Sequence, residues 1–103
     1  MSNTNRFVVH GLVVEDEVRF TLVELCHACH ADADQLMVLI DEGVLSPNGE
    51  DPPIFGGNSL RRARLALRLI RDLELNASGT ALVLDLLDEI AALESRLRRL
   101  SSY

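Results

Sequence analysis

Cysteine and histidine side chains cluster in one short segment of the chain, at Cys26, His27, Cys29 and His30. Thiolate and imidazole are zinc ligands, but a structural zinc site usually takes a second ligand pair from elsewhere in the chain. The only other His is His10, and there is no other Cys. We therefore predict no metal and no cofactor, and we expect both Cys side chains to pack in the core as small apolar groups.

The sequence lacks the common motifs for nucleophilic catalysis and phosphate binding. It has no GxSxG elbow, and Gly56-Gly57-Asn58 matches neither GxGxxG nor the GK[ST] ending of a phosphate loop. We therefore expect a protein that is not an enzyme. An enzyme with Cys26 or Cys29 as its reactive group stays open as an alternative, and it would require an accessible thiol of low pKa.

Aliphatic residues dominate the apolar part of the 103-residue chain. The hydrophobic share is 48% and the aromatic share 4%, which favours packed helices over a large sheet. The length predicts one domain with one core. No stretch reaches the roughly 18 to 20 apolar residues of a membrane span, and the N-terminus has no signal-peptide pattern, so we expect a cytoplasmic protein without a membrane partner.

Two short helices joined by a tight turn are predicted after residue 20, which together form a helix-turn-helix. Thr21 with Glu24 gives a capping box for helix one, Asp32 with Gln35 gives one for helix two, and Gly43 ends the second helix. The spacing of the apolar residues predicts their buried faces. These faces are Leu22, Leu25, Cys26 and Cys29 in helix one, and Leu36, Leu39 and Ile40 in helix two.

Residues 1 to 17 are predicted as an N-terminal arm or short strands around His10-Gly11, and residues 18 to 101 as the main domain. The turn-rich segment from Ser46 to Asn58 has only Ile54-Phe55 fit for a strand, which is where a wing would lie. A third helix is predicted from about Leu60 to Leu75, capped by Asn58 or Ser59. Its predicted inward residues are Leu60, Ala63, Leu67 and Ile70.

Arginines recur on one face of the third helix, at Arg61, Arg64, Arg68 and Arg71. The favoured interpretation is a solvated face, partly neutralised by Asp72 and Glu74 or by the acidic N-terminal half of the chain. The alternative is a set of contacts to DNA phosphates.

A last helix is predicted from about Thr80 to Leu100, after a break at residues 76–79. Apolar residues on it alternate at spacings of three and four, which is a short heptad seam. Antiparallel pairing of two copies would bring Glu89 near Arg96, whereas parallel pairing would oppose Glu89 and Glu94, so we predict an antiparallel homodimer. The alternative is that the stripe folds back on helix three. The seam residues are Val83, Leu86, Ile90, Leu93, Leu97 and Leu100.

Helix two would be the recognition helix of a DNA-binding protein, yet it carries Asp32, Asp34, Asp41 and Glu42 and no basic residue. DNA-binding proteins place Lys or Arg against phosphates, so these carboxylates argue against nucleic acid as the partner. Residues 1–56 carry a net charge of −8 and residues 57–103 one of +2. A basic protein surface is therefore the expected partner.

Three blocks in their order closely resemble the CbpM family of chaperone modulators, relatives of the MerR helix-turn-helix group: FTLVELCHACHADADQLMVLIDEGVLSP, LALRLIRDLELNASG and ALVLDLLDEIAALESRLRRL. The similarity covers about residues 18 to 101. It implies a mainly α, MerR-like winged helix-turn-helix with a C-terminal helix of short heptad character. The chain lacks the Arg-Tyr pair at the start of helix two and the Gly-Tyr-Arg wing of MerR regulators, which argues against transcriptional regulation.

The resemblance implies a non-enzymatic inhibitor of CbpA, a DnaJ-type co-chaperone that also binds DNA. Members of the family bind the J-domain of CbpA and so block its stimulation of the DnaK-type chaperone and its DNA binding. The alternative is a small MerR-like DNA-binding regulator that uses the Arg residues of helix three. The contact residues we expect for the J-domain are Asp32, Asp34, Asp41 and Glu42, joined by Asp85, Asp88 and Glu89.

Overall fold

The computed structural model describes the backbone of residues 6–9, 12–15 and 17–101 and the side chains of residues 17–101. Within these residues, four helices and two small antiparallel sheets, β1–β2 and β3–β4, confirm the mainly α prediction. The predicted break at His10-Gly11 lies outside the described residues. The elements in order are β1 (Arg6–Val9), β2 (Leu12–Glu15), β3 (Arg19–Thr21), α1 (Leu22–Cys29), α2 (Ala33–Asp41), β4 (Ile54–Gly56), α3 (Gly57–Leu73) and α4 (Ala77–Ser101).

Both predicted capping boxes are present at the helix-turn-helix. The Thr21 hydroxyl accepts a hydrogen bond from the Glu24 backbone N–H at 3.1 Å, and the Glu24 carboxylate accepts from the Thr21 N–H at 2.9 Å. Asp32 and Gln35 repeat this reciprocal pair at 2.9 and 3.0 Å. Each box satisfies backbone donors that a helix start leaves without an intrahelical partner, so the starts of α1 and α2 are fixed locally.

The core lies where the two short helices meet α3 and the β3–β4 sheet. Phe55, the middle residue of β4, is fully buried and pairs across the sheet with Phe20 of β3. The predicted inward faces of helices one and two are confirmed, since all their residues are buried or pack against this core. The buried apolar residues are Leu25, Leu36, Leu39, Val44, Leu45, Phe55, Leu60, Ala63, Ala66 and Leu84.

The start of α3 differs from its prediction. The helix begins at Gly57 instead of Leu60, and its first turn has no side-chain cap, so the predicted cap by Asn58 or Ser59 is wrong. Both residues lie inside the helix, where the Asn58 side chain accepts a hydrogen bond from Arg61 at 2.8 Å and Ser59 is buried. Gly56, the last residue of β4, pairs with Arg19 of β3, and α3 begins at the next residue. The end of the strand, and not a local capping residue, therefore sets the start of α3.

The start of α4 lies one turn earlier than predicted, at Ala77 instead of Thr80. The Asn76 side-chain oxygen accepts from the Gly79 backbone N–H at 2.8 Å, so Asn76 caps the helix. Thr80 is therefore in the second turn, fully buried, with its hydroxyl donating to the Asn76 carbonyl at 2.8 Å. Residues 76–79, predicted as a break between two helices, are therefore the cap and first turn of α4.

The heptad seam of α4 is exposed in the single chain. α4 packs on the core through Thr80, Ala81 and Leu84, while Val83 is half-buried. A helix turns 100° per residue, so the seam lies on the side opposite to these contacts. Folding of the stripe onto α3 within the monomer is therefore wrong. The remaining seam residues are between 44% and 69% exposed: Leu86, Ile90, Leu93, Leu97 and Leu100.

Candidate protein-binding surface

The outer face of α2 carries acidic and apolar side chains in one line. Helical spacing aligns Asp34, Val38 and Asp41, with Met37 and Glu42 beside them, opposite the buried face of the helix. Met37 is 44% exposed and Val38 47% exposed. Within the described part of the chain, none of the three carboxylates forms an ion pair. We call these five residues the α2 face.

The two apolar members of the α2 face, Met37 and Val38, are not among the contact residues predicted from the sequence. The predicted inward stripe took Leu36, Leu39 and Ile40, which left Met37 and Val38 unassigned on the same helix. The available signal was their spacing from Asp34, three and four residues on, which puts them among the carboxylates. An exposed apolar strip flanked by acids can bind a partner helix that has an apolar face with basic residues beside it.

Asp32 differs from the other predicted contact residues of α2 because its carboxylate is already in use. It accepts the Gln35 N–H at 2.9 Å as the helix cap. Its substitution would weaken the start of α2 as well as any contact to a partner. The α2 face without Asp32 is therefore the surface to test by mutation.

The predicted acids of α4 form part of an internal link. Arg62, whose side chain is 12% exposed, donates from Nη1 to Asp88 at 2.6 Å, and its Nη2 lies 4.0 Å from Asp85. Its Nε donates to the Val44 carbonyl at 2.7 Å, so one guanidinium joins the exit of α2 to α3 and α4. Glu89 is exposed and forms no ion pair among the residues described. Two of the three α4 acids are thus partly neutralised within the chain.

The arginines of α3 are partly engaged too. Arg64 donates to the Ala28 carbonyl at 3.0 Å, and Asp72 pairs with both Arg68 and Arg71. The Arg71 hydrogen bond holds the pKa of Asp72 below its usual value. The predicted neutralisation is confirmed for Asp72, whereas Glu74 forms no ion pair among the described residues.

Cys26 and Cys29 carry free thiols and lie half-buried against the core, as predicted. Burial raises the pKa of Cys29 to about 11, against the opposing effect of the Arg64 charge. A thiol with a raised pKa is a poor nucleophile at neutral pH. Among residues 17–101, no three His, Cys, Asp or Glu side chains are placed to hold a metal ion.

We expect alkylation of Cys29 by iodoacetamide to be slow in the native protein and to accelerate only as the pH rises towards about 11. Because the folded state favours the protonated thiol, the contribution of Cys29 to the free energy of unfolding is fully present below pH 9 and is lost as the pH rises through 11. At pH 9, the native rate should be roughly fiftyfold below that of the urea-denatured chain, measured by mass spectrometry. Fast modification of native Cys29 at pH 7.5 would contradict this.

Comparison with known proteins identifies the family. Residues 20–102 match the family model described as MerR HTH family regulatory protein. The chain is 34% identical over 98 residues to the chaperone modulatory protein CbpM of Coxiella burnetii (strain Dugway 5J108-111), and the match spans 93% of this chain and 92% of that protein. The chain belongs to the CbpM family. CbpM proteins of Pseudomonas putida (strain W619) and Pseudomonas entomophila (strain L48) are 32% and 30% identical over 80 residues, which are 76% of this chain and 79% of each relative.

Membership in the CbpM family confirms the resemblance seen in the sequence and its MerR-like helix-turn-helix. The family role is that of a chaperone modulator, and neither the relatives nor the family model is named as an enzyme. Within the described residues, no helix has both the length and the apolar character to cross a bilayer. This CbpM chain has the helix-turn-helix fold of the MerR family, and α2, the position of the recognition helix in that fold, exposes carboxylates.

Proposed function

We propose that this CbpM protein binds the J-domain of a CbpA/DnaJ-type co-chaperone through the α2 face. Binding there would block stimulation of the DnaK-type chaperone and the DNA binding of the co-chaperone, with the cytoplasm as the shared compartment. The observation that carries the proposal is the exposed line of Asp34, Val38 and Asp41 on the helix that would otherwise enter a DNA groove. A J-domain offers a basic helix to its chaperone partner, and this line is complementary to it in charge.

Acidic and apolar members of the α2 face would contribute differently to the contact. Exposed carboxylates attract a basic helix from a distance and fix its register, and they repel acidic competitors. Met37 and Val38, each about half exposed, supply apolar area that is removed from water when the partner docks. The acids therefore set association rate and selectivity, and the apolar pair adds to the lifetime of the complex.

Acids on α4 would extend the contact, since α4 packs against α2. Glu89 would be shared between a basic residue of the J-domain and Arg96 of the second copy in the homodimer proposed below. To bind a basic residue of the J-domain, Asp85 and Asp88 would have to give up part of their interaction with Arg62. We therefore assign these three acids a smaller share of the binding energy than Asp41 or Glu42.

We further propose that a second copy covers the exposed seam of α4 in an antiparallel homodimer. The heptad a positions are Val83, Ile90 and Leu97, and the d positions are Leu86, Leu93 and Leu100. In an antiparallel pair a positions pack against d positions of the other helix, so the layers are Val83 with the partner's Leu100, Leu86 with the partner's Leu97, and Ile90 with the partner's Leu93. Twofold symmetry repeats each layer, and all six seam residues of each chain are used. The same register brings Glu89 towards the partner's Arg96.

An ATPase assay of a DnaK-type chaperone stimulated by a CbpA-type co-chaperone tests the proposed function. Added CbpM protein is expected to return the stimulated rate to the basal rate, and to leave the rate without co-chaperone unchanged. Binding of the co-chaperone to labelled duplex DNA should fall over the same concentration range. A stimulated rate that persists at saturating CbpM protein would contradict the proposal.

A further inference from the structure

A groove of about 710 Å³ runs between the α1–α2 turn and one side of α3. Its arginine side chains are Arg64, Arg68 and Arg71, and its apolar lining includes the half-buried Leu67 and Ile70. We call it the arginine groove. It combines cationic groups with apolar surface in one concave site, which a flat solvated face does not do.

Charge in the arginine groove is of opposite sign to that of the chain as a whole. Three guanidiniums line it with the single carboxylate of Asp72, which lies 2.9 Å from Arg71 and 3.6 Å from Arg68. The hydrogen bond from Arg64 to the Ala28 carbonyl anchors one guanidinium at the C-terminal end of α1. The site therefore offers a preorganised cation and two exposed ones to an anionic ligand, although the whole chain carries −6.

We infer that the arginine groove binds an acidic peptide segment with apolar side chains between its carboxylates. From Arg64 to Arg71 the helix rises about 10 Å, at 1.5 Å per residue. A peptide in the polyproline II conformation has three residues per turn and rises about 9 Å over that turn, so its first and fourth residues lie on the same side. Two carboxylates in an acid-x-x-acid peptide therefore both face α3 and reach the outer arginines, while a residue between them contacts Leu67 and Ile70.

A peptide fits this groove better than a nucleic acid. Gln35 and His30 line the same groove, which places the N-terminal end of α2 with its acidic Asp32 and Asp34 beside it. A DNA duplex presents closely spaced phosphates over a wide surface, so these carboxylates would repel it beyond the groove. A short peptide confined to the groove carries two carboxylates and is repelled less.

Fluorescence anisotropy with the full chain and no co-chaperone tests this site independently of J-domain binding. The probe is a fluorescein-labelled pool of Asp-x-x-Asp heptapeptides in which x is Leu, Ile, Val or Phe. We expect saturable binding that weakens as salt is raised, and at least tenfold weaker binding by an otherwise identical Asn-x-x-Asn pool. No saturation below 1 mM chain, or equal binding of both pools, would overturn the inference.

Substitutions at Asp72 and Arg71 separate recognition from loss of folding. Asp72→Asn removes the carboxylate that competes for the arginines, so peptide binding should tighten several-fold, whereas Arg71→Gln should weaken it several-fold. Glu74→Gln is the control for Asp72→Asn, because it makes the same charge change next to the groove without lining it. Equal effects of the two acidic substitutions would overturn the inference. Tighter binding of a mixed-sequence DNA duplex, lost in Arg71→Gln, would also overturn it and assign the groove to nucleic acid.

Discussion

Replacing Asp41 and Glu42 with Lys is expected to weaken binding of the J-domain about a hundredfold. Each substitution exchanges an attraction to the basic helix of the partner for a repulsion. Both positions lie at the C-terminal end of α2, where a positive charge suits the helix dipole, so the helix itself should be retained. Isothermal titration calorimetry of the J-domain into the CbpM chain measures the change.

A matched pair of single substitutions makes this prediction specific. Asp41→Lys should weaken binding about tenfold. Glu74→Lys makes the same charge change in the cap position at the end of α3, which is not part of the α2 face, and should change the dissociation constant less than twofold. Equal weakening by the two variants would show a general charge effect, and unchanged binding by Asp41→Lys would contradict a contact at this face.

Ile90→Lys is expected to convert an antiparallel dimer into a monomer at micromolar concentration. The two Ile90 residues lie near the centre of the proposed seam, each packed on the partner's Leu93. Two ammonium groups would be brought close together in an apolar layer, so we expect the dimer dissociation constant to rise at least a hundredfold. Sedimentation equilibrium measures the mass of both proteins.

Ala92→Lys serves as the charge-matched control for the seam, since Ala92 is exposed on α4 outside the a and d positions. It should leave the dimer intact. Orientation is tested with Leu100→Cys: a parallel pair would form a disulfide between the two new thiols, but an antiparallel pair holds them at opposite ends. A monomeric unsubstituted chain, or dissociation by Ala92→Lys as well, would contradict the proposed seam.

Local signals predicted the helix-turn-helix well and the edges of α3 and α4 poorly. The boxes of Thr21 and Asp32 each involve residues three apart, so the sequence contains all of the information. The start of α3 depends on the pairing of β4 with β3, a contact of residues more than 30 positions apart. At the start of α4, the run Asn76-Ala77-Ser78-Gly79 resembles a turn, although its first residue is a helix cap.

The candidate site shows the same division between local and tertiary information. Acids on α2 follow directly from the sequence, but exposure of Met37 and Val38 depends on how much of the helix the core covers. Arg62 lies off the regular arginine face of α3 and was not singled out. On α3, its guanidinium contacts the Val44 carbonyl after α2 and the Asp88 carboxylate on α4. No residue spacing in the sequence could identify contacts between such distant segments.

Nuclear magnetic resonance of the ¹⁵N-labelled CbpM chain, titrated with an unlabelled J-domain, tests the proposed contact most directly. We predict that the largest amide shift changes fall on the α2 face, at Asp34, Met37, Val38, Asp41 and Glu42, with smaller changes near Glu89. Amides along the arginine groove should move little. Changes confined to α3 or to the C-terminal half of α4, with α2 unmoved, would contradict the proposal that the acidic recognition helix binds the co-chaperone.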